Sequence, residues 1–254
     1  VQVGRSLDAT LQFDGAMWHQ TPMPVGMKLR RKIRPLLFRL ARPILHHQLK
    51  KNADTIVDGL ELRTDAAVFH PKFFFSSKIL GRYLAAQILA NQKVLDMGTG
   101  SGVIGIIAAK RGAEVLAVDI NPAAVALAAA NVRLHNLNGR WRGLESDLFA
   151  RLDPAEKFDW IAFNPPYFAG LARRPEEAAW NAGENYETID RFLSQAENFL
   201  NARGKIVLIL SSEMPLASLH DKFQRFGYHL VAHDSKPHLF EIFHLVQLQA
   251  SDRR

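Results

Sequence analysis

From Lys93 to the end of the chain, short apolar runs alternate with longer segments whose apolar positions recur at helical spacing. The runs around Val94-Leu95, Val115-Leu116-Ala117-Val118, Trp160-Ile161-Ala162-Phe163 and Ile206–Leu210 have the length and continuity of buried strands. This pattern predicts strands near 93–97, 114–119, 140–145, 158–163, 204–211, 227–233 and 239–248. Helices are predicted over 74–90, 102–111, 122–137, 185–201 and 214–226. Asn121-Pro122 and Glu213-Met214-Pro215 fit helix starts, because proline is tolerated where the first turn leaves its N–H unpaired anyway. Strand–helix alternation implies a parallel sheet covered on both faces. The last two strands are joined only by Asp234 to His238, too short for a crossover, so they must pair antiparallel. The fold class expected is therefore α/β, Rossmann-like, with a seven-stranded, mostly parallel sheet and an antiparallel last strand.

The first third of the chain has a different texture. Residues 1–26 carry no sustained period and are expected to be disordered or an extension. Residues 27–51 hold nine Lys/Arg and no acid, which leaves the rest of the chain with 23 basic and 25 acidic residues. The net charge of +7 thus belongs to one segment. Within it Leu29, Ile33, Leu36 and Leu40 share a helical face, interrupted by Pro35 and Pro43. A solvated helix pair, contact with RNA or the ribosome through phosphates, and attachment to an anionic membrane surface all fit such a segment. Ile56 to Leu62 reads as a hairpin turning at Asp58-Gly59. The expected division is 1–26, then a basic helical segment and hairpin over 27–67, then one main domain over 68–250.

Composition narrows the function classes. The chain has no cysteine, which excludes disulfides, thiolate metal sites and cysteine nucleophiles. No run of 18 apolar residues offers a membrane span, and Arg39 and Arg42 spoil any signal-peptide core. A cytoplasmic location is expected.

Two phrases carry chemistry. In Val94-Leu95-Asp96-Met97-Gly98-Thr99-Gly100-Ser101-Gly102 a strand runs into glycines that turn tightly and admit a ligand without Cβ clashes. The following helix directs its N-terminal N–H groups at the same place. Gly100, Gly102 and Gly105 also satisfy G-x-G-x-x-G, so a nicotinamide dinucleotide has to be weighed. Asp96 counts against it, since an acid beside a pyrophosphate is unfavourable, whereas it can accept from the ammonium or amides of an amino-acid moiety. Asp119 ends the next strand, where two carboxylate oxygens can take both ribose hydroxyls. Asp147 follows the third strand, where it can accept from the adenine amine while Leu148 donates from its backbone; a plain turn or helix cap is the alternative.

The second phrase is Asn164-Pro165-Pro166-Tyr167, directly after an apolar strand and at the sheet edge where α/β proteins bind ligands. An amide or aromatic amine nitrogen is a poor nucleophile because its lone pair is delocalised. The Asn164 side-chain oxygen and the Pro165 carbonyl can accept its two hydrogens and favour a tetrahedral nitrogen. The prolines preorganise the loop, and Tyr167 can stack on the flat group. Together the two phrases point to methyl transfer from S-adenosylmethionine to nitrogen.

At this level of detail residues 68 to 248 resemble the release-factor glutamine methyltransferases, which modify the Gln of a Gly-Gly-Gln motif and are class I S-adenosylmethionine-dependent enzymes. Val68-Phe69-His70-Pro71, Asp96 to Gly102, Asp119-Ile120-Asn121-Pro122 and Asn164 to Tyr167 match that family's motifs. Ala179-Trp180 with Gly183, then Ile189-Asp190-Arg191-Phe192, resembles the segment after the clamp in its short members. The resemblance implies cofactor contacts from Asp96, Gly98, Thr99, Gly100, Gly102, Asp119, Ile120, Asp147, Leu148 and Asn164, and acceptor contacts from Asn164, Pro165 and Tyr167. Where the family carries an acid and a threonine after its first proline, this chain has Lys72 to Ser77, with a serine standing in for the threonine. The long members' helical N-terminal domain is replaced by a shorter, basic segment.

Other signals stay structural. Phe73-Phe74-Phe75 reads as core packing sooner than a lid, and His229, His233, His238 and His244 lack an acid at ligand spacing, so no metal is expected. The same clamp fits adenine N6 or guanine N2 of a nucleic acid, or a small molecule. A cofactor-binding module without catalysis would have no use for it.

Overall fold

The computed structural model describes residues 54–65, 67–68, 75–172, 179–238 and 241–251. The expectations for residues 1–26, for the basic segment 27–51 and for Phe69 to Phe74 lie outside the described residues.

The chain enters through a hairpin of β1 (Thr55–Val57) and β2 (Leu60–Leu62), paired antiparallel. Its turn residues Asp58 and Gly59 have φ of 55° and 77°, the left-handed pair that a tight hairpin demands. Asp58 also receives the Arg82 guanidinium from helix α1 (Phe75–Gln87), fastening hairpin to domain.

There follow β3 (Lys93–Met97), α2 (Val103–Lys110), β4 (Glu114–Asp119), α3 (Pro122–Leu134), β5 (Trp141–Glu145), β6 (Phe158–Phe163), α4 (Glu187–Ala196), β7 (Leu200–Ser211), α5 (Leu216–Arg225), β8 (Tyr228–His238) and β9 (Glu241–Ala250). Seven strands form one sheet in the order β5-β4-β3-β6-β7-β9-β8. All neighbours are parallel except β9, which inserts antiparallel between β7 and β8. The fold is thus the expected Rossmann-like class I methyltransferase arrangement.

Alternation along each strand divides the core between the two faces. Leu95, Met97, Leu116, Val118, Ile161 and Phe163 face α4 and α5, together with Phe192, Leu193, Leu219 and Phe223. Val94, Val115, Ala117, Trp160 and Ala162 face α1 and α2, with Leu80, Leu84, Ile104 and Ala108. Burying both sets of side chains, each worth about 1.5–3 kcal/mol, is what fixes the register.

The largest departures from expectation fall at three boundaries. The helix predicted over 185–201 ends at Ala196, and a 3-10 turn over Glu197–Phe199 leads into β7 at Leu200, not 204. Phe199 continues the helical apolar spacing, yet it stacks on Phe149 at 4.8 Å while Leu200 pairs with Phe158. Periodicity alone could not show that stop. Likewise Asp234 to His238, read as a connection, is strand: β8 is the sheet edge, where polar residues and Pro237 are tolerated.

Candidate functional site

The sheet order reverses between β3 and β6, the switch point at which α/β sheets open a crevice. A cavity of about 1150 Å³ lies there, above the pocket range of about 300–1000 Å³ for single ligands. It has room for a cofactor and an acceptor side chain together.

Gly98, Thr99 and Gly100 line this cavity, with φ of 67° at Gly98 and 54° at Gly100. Among the described residues, chain neighbours aside, no atom lies within 4 Å of where a Gly100 Cβ would stand, so the backbone there is open to a ligand. Gly102 behaves differently. It does not line the cavity, and its Cβ would meet Ala128 of α3 at 3.1 Å; this glycine serves helix packing.

Asp96 is fully buried beneath the loop and is not part of the cavity lining. Its Oδ2 accepts from Thr99 Oγ1 at 2.7 Å and from the Gly105 N–H at 3.0 Å. Its Oδ1 has no partner among the described residues. Burial pushes the acid up to about 6, against the pull of the bonds from Thr99 and Gly105. Gly105 is needed because its Cβ would stand 3.0 Å from both Asp96 Oδ2 and Trp141 Nε1.

Asp119 lines the cavity at the end of β4. It accepts from the Gly100 N–H and the Asn121 N–H, each at 2.9 Å, so one carboxylate ties the glycine loop to the start of α3. Burial raises its pKa, opposed by those backbone N–H groups. Asn121 caps α3 by accepting from Ala123 at 3.0 Å and donates to the Ala67 carbonyl. Ile120 is 41% exposed on the lining, an apolar surface beside a polar site.

Asp147 and Leu148 close this end. Leu148 is buried in the left-handed region, φ 51°, an uncommon backbone for a non-glycine residue. Ser146 holds it by donating to the Leu148 carbonyl at 2.8 Å while accepting from Arg151. Asp147 pairs with Arg191 of α4 at 2.6 Å. That partner was not visible in the sequence beyond its place in the segment after the clamp.

On the other side of Gly98, β6 delivers Asn164, Pro165, Pro166 and Tyr167 to the same cavity. Asn164 Nδ2 donates to Ser76 Oγ at 3.0 Å and to Ser77 Oγ at 3.1 Å. Tyr167 donates its hydroxyl to Asn164 Oδ1 at 2.5 Å. Burial pushes the phenol well above its ordinary pKa, so it keeps the proton it donates. Its ring lines the cavity, tilted against Phe243.

Beyond the clamp, the backbones of Phe168 and Gly170 pair with Trp180 to Gly183 through bonds of 2.9–3.0 Å. This ledge carries the stacked, part-exposed rings of Phe168 and Trp180. Gly183 sits at φ 91°, where a side chain is strained, and a Cβ there would stand 3.2 Å from the Glu187 backbone nitrogen. Phe75 also reaches the cavity and stacks on His238 at 4.3 Å; Phe73 and Phe74 lie outside the described residues. His233 and His244 instead face each other across β8 and β9.

These residues suit S-adenosylmethionine. The buried, unpartnered oxygen of Asp96 matches a cationic amino-acid end, Asp119 matches a ribose, and Ile120 matches an adenine face.

Comparison with known proteins agrees. The family model described as "Methyltransferase small domain" matches residues 59–240. A Methanocaldococcus jannaschii protein named "Putative protein N5-glutamine methyltransferase" is 36% identical over 62% of this chain and 79% of its own length. The ribosomal RNA small subunit methyltransferase C of Vibrio vulnificus is 33% identical over 60% of this chain, but only 41% of that enzyme is spanned. Among solved structures, the ribosomal protein L11 methylase of Lactobacillus delbrueckii subsp. bulgaricus superposes with a TM-score of 0.56 at 19% identity, covering 80% of this chain and 92% of that one. That structural likeness bears on the fold. With the family model covering most of the chain, the protein belongs to the small-domain methyltransferases and is an S-adenosylmethionine-dependent methyltransferase.

Proposed function

We propose that the enzyme methylates the side-chain amide of a protein glutamine, as release-factor methyltransferases do. The observation that carries this reading is the placement of Asn164, Pro165 and Tyr167 on the same cavity as Gly98, Gly100 and Asp119. In this reading Asp96, Gly98, Thr99, Gly100, Asp119, Ile120, Asp147 and Leu148 hold the cofactor, some directly and Asp96 from beneath. Gly102 acts only through packing. Bound there, S-adenosylmethionine supplies a methyl group on a sulfonium; the acceptor nitrogen gains that methyl and releases a proton to solvent afterwards. Asn164 Oδ1 and the Pro165 carbonyl take the two N–H groups, which localises the nitrogen lone pair for attack. No strong base is required.

Charge favours protein over nucleic acid. Among the described residues the lining carries five carboxylates, Asp119, Asp147, Glu187, Glu213 and Glu241, against the one guanidinium of Arg191. A phosphate backbone would be repelled there, whereas a neutral amide is not. The relative named for glutamine N5 methylation supports the same choice; the ribosomal RNA relative supports the alternative of an exocyclic amine. We read residues 68–250 as the catalytic unit, with 27–51 recruiting it to ribosomal RNA or an anionic surface in the cytoplasm.

The test is transfer from labelled S-adenosylmethionine by the full chain, to cell extract and to a synthetic peptide containing Gly-Gly-Gln. Digestion should release methylglutamine, and Asn164→Ala should abolish the label while leaving S-adenosylhomocysteine binding largely in place. Label recovered as methyladenine or methylguanine would replace the proposal with the nucleic-acid reading.

A further inference from the structure

A carboxamide is nearly symmetric in shape but not in chemistry: one end donates two hydrogen bonds and the other accepts two. Only the oxygen end of Asn164 can receive an acceptor N–H, so the orientation of this side chain decides whether the clamp functions. Within the Asn-Pro-Pro-Tyr phrase only the Tyr167 hydroxyl bears on that orientation, and a lone hydroxyl can turn to meet either end of the carboxamide. The partners of its nitrogen end come from a different element, 87 and 88 residues away in sequence.

Ser76 and Ser77 occupy the first turn of α1. Ser76 is 1% exposed, and Ser77 lies on the cavity lining. Their hydroxyl oxygens take the two Nδ2 hydrogens of Asn164 at 3.0 and 3.1 Å. The helix that carries them is anchored by Leu80 and Leu84, both fully buried in the core beside β7 and β9, so the serines cannot follow the carboxamide if it rotates. At the opposite end the Tyr167 hydroxyl uses one lone pair of Oδ1. A carbonyl oxygen has a second lone pair, which this arrangement leaves for the acceptor.

We propose that Ser76 and Ser77 are positioning residues for methyl transfer: together they hold the Asn164 carboxamide with its nitrogen on α1 and its oxygen on the acceptor side. Neither serine touches the reacting atoms; both act through Asn164, and Ser76 also lies within hydrogen-bonding reach of the Tyr167 hydroxyl that holds the other end of the carboxamide. With both hydroxyls gone, the Nδ2 donors are left without partners, and the carboxamide turns to present them toward the acceptor N–H, a donor facing a donor. The inference rests on Asn164 acting in transfer, and the first arm of the test shares that dependence.

The experiment compares Ser76→Ala, Ser77→Ala, the double variant, and Ser76→Ala combined with Ser77→Thr, all in the full chain. Alanine fits the space of Ser76, and Ser77→Thr keeps a hydroxyl. Turnover on the labelled acceptor should fall roughly 10- to 100-fold in the double variant, as expected for leaving buried donors unpaired. The dissociation constant for S-adenosylhomocysteine should stay within about threefold, and Ser77→Thr should restore most of the turnover. A parallel loss of cofactor affinity and turnover would make the serines cofactor ligands and overturn the proposal. The second arm needs no acceptor: the Asn164 side-chain amide is followed by nitrogen-15 NMR, its signals assigned by their absence in Asn164→Asp. The two protons should be separated and slow to exchange in the parent, and solvent-like in the double variant. Unchanged Asn164 signals would overturn the proposal whatever the enzyme methylates. If glutamine proves not to be the acceptor, moved signals still support it.

Discussion

The Arg191 guanidinium sits 2.6 Å from Asp147, so the helix after the clamp reaches back to the loop proposed to read adenine. Both side chains are about half exposed, at 50% and 44%, and a pair of that kind contributes at most about 1 kcal/mol. Asp147 is therefore expected to matter through its ligand more than through Arg191. Asp147→Ala should weaken S-adenosylhomocysteine binding about tenfold, the loss of one charge-assisted hydrogen bond, while Arg191→Gln should change it by less than about threefold. Calorimetry on the two variants decides; the reverse order would mean that Arg191 is the ligand and Asp147 only its support.

Asp96 makes cofactor binding depend on pH. Its pKa stands at about 6 because it is buried, and only the ionised form attracts a cationic ammonium. Affinity for S-adenosylhomocysteine should be flat above pH 6 and should fall below it, by up to about tenfold per unit. Stability runs the other way. Below pH 3.8 Asp96 is protonated in both the folded and unfolded chain; between 3.8 and 6 only the folded chain holds the proton. Its contribution to stability therefore declines as pH rises through that window, by about 3 kcal/mol in all, and is level above it. Asp96→Asn, which can still accept from Thr99 and Gly105, should be more stable than the parent at pH 8 yet bind cofactor more weakly. Equal stability at pH 8 would show that Asp96 carries no burial penalty.

The stacked pair His233 and His244 gives an acid-side prediction of opposite sign. Burial, reinforced by the charge of His233, lowers His244 to about 4, and His233 is lowered by burial as well. In the unfolded chain these imidazoles take up protons near pH 6.5; in the folded chain His244 refuses one until about pH 4. Stability is thus lost as pH falls from 6.5 toward 4, by about 3 kcal/mol from His244. His244→Gln, a neutral residue that can still bond His233, should flatten that part of the curve. Urea melts of parent and variant at pH 7 and pH 4.5 isolate the effect, since the Asp96 contribution is common to both. A variant as acid-sensitive as the parent would place the charged imidazole elsewhere.

Much of the architecture was legible because the strands at 93–97, 114–119 and 158–163 are built around short apolar runs such as Val115–Val118 and Trp160–Phe163, and because Asp58-Gly59 and Asn121-Pro122 have stereochemical meaning in isolation. The site was legible where one short phrase supplies both scaffold and chemistry, as at Gly98 to Gly100 and Asn164 to Tyr167. It was opaque where a group acts across the fold. The bonds from Ser76 and Ser77 to Asn164, from Arg191 to Asp147, and from Asn131 Nδ2 to the Ser101 carbonyl join elements far apart in sequence. None leaves a local pattern. Asn131, a polar residue in the alanine-rich helix α3, is fully buried, whereas the resemblance had drawn attention to a serine in Lys72 to Ser77 and to Arg191 without naming their partners. Gly102 illustrates the converse: it belongs to the glycine phrase by spacing, but three dimensions assign it to helix packing.

That division between Gly100 and Gly102 can be measured. Both have positive φ, 54° and 87°, so an alanine at either is strained by about 1–2 kcal/mol. At Gly100 the new methyl meets nothing within 4 Å and projects into ligand space; at Gly102 it meets Ala128 Cβ at 3.1 Å and Ala128 Cα at 3.2 Å. The second contact is with backbone, which cannot step aside without moving α3. Gly100→Ala should therefore unfold only about 1–2 kcal/mol more easily, yet lose tenfold or more in S-adenosylhomocysteine affinity, because the methyl takes up cofactor space. Gly102→Ala should lose about 2–4 kcal/mol of stability, strain and overpacking together, and the part that remains folded should bind cofactor nearly as the parent does. Thermal melts and calorimetry on both proteins separate the two roles. Comparable affinity losses at the two positions, with comparable melts, would return Gly102 to the cofactor site.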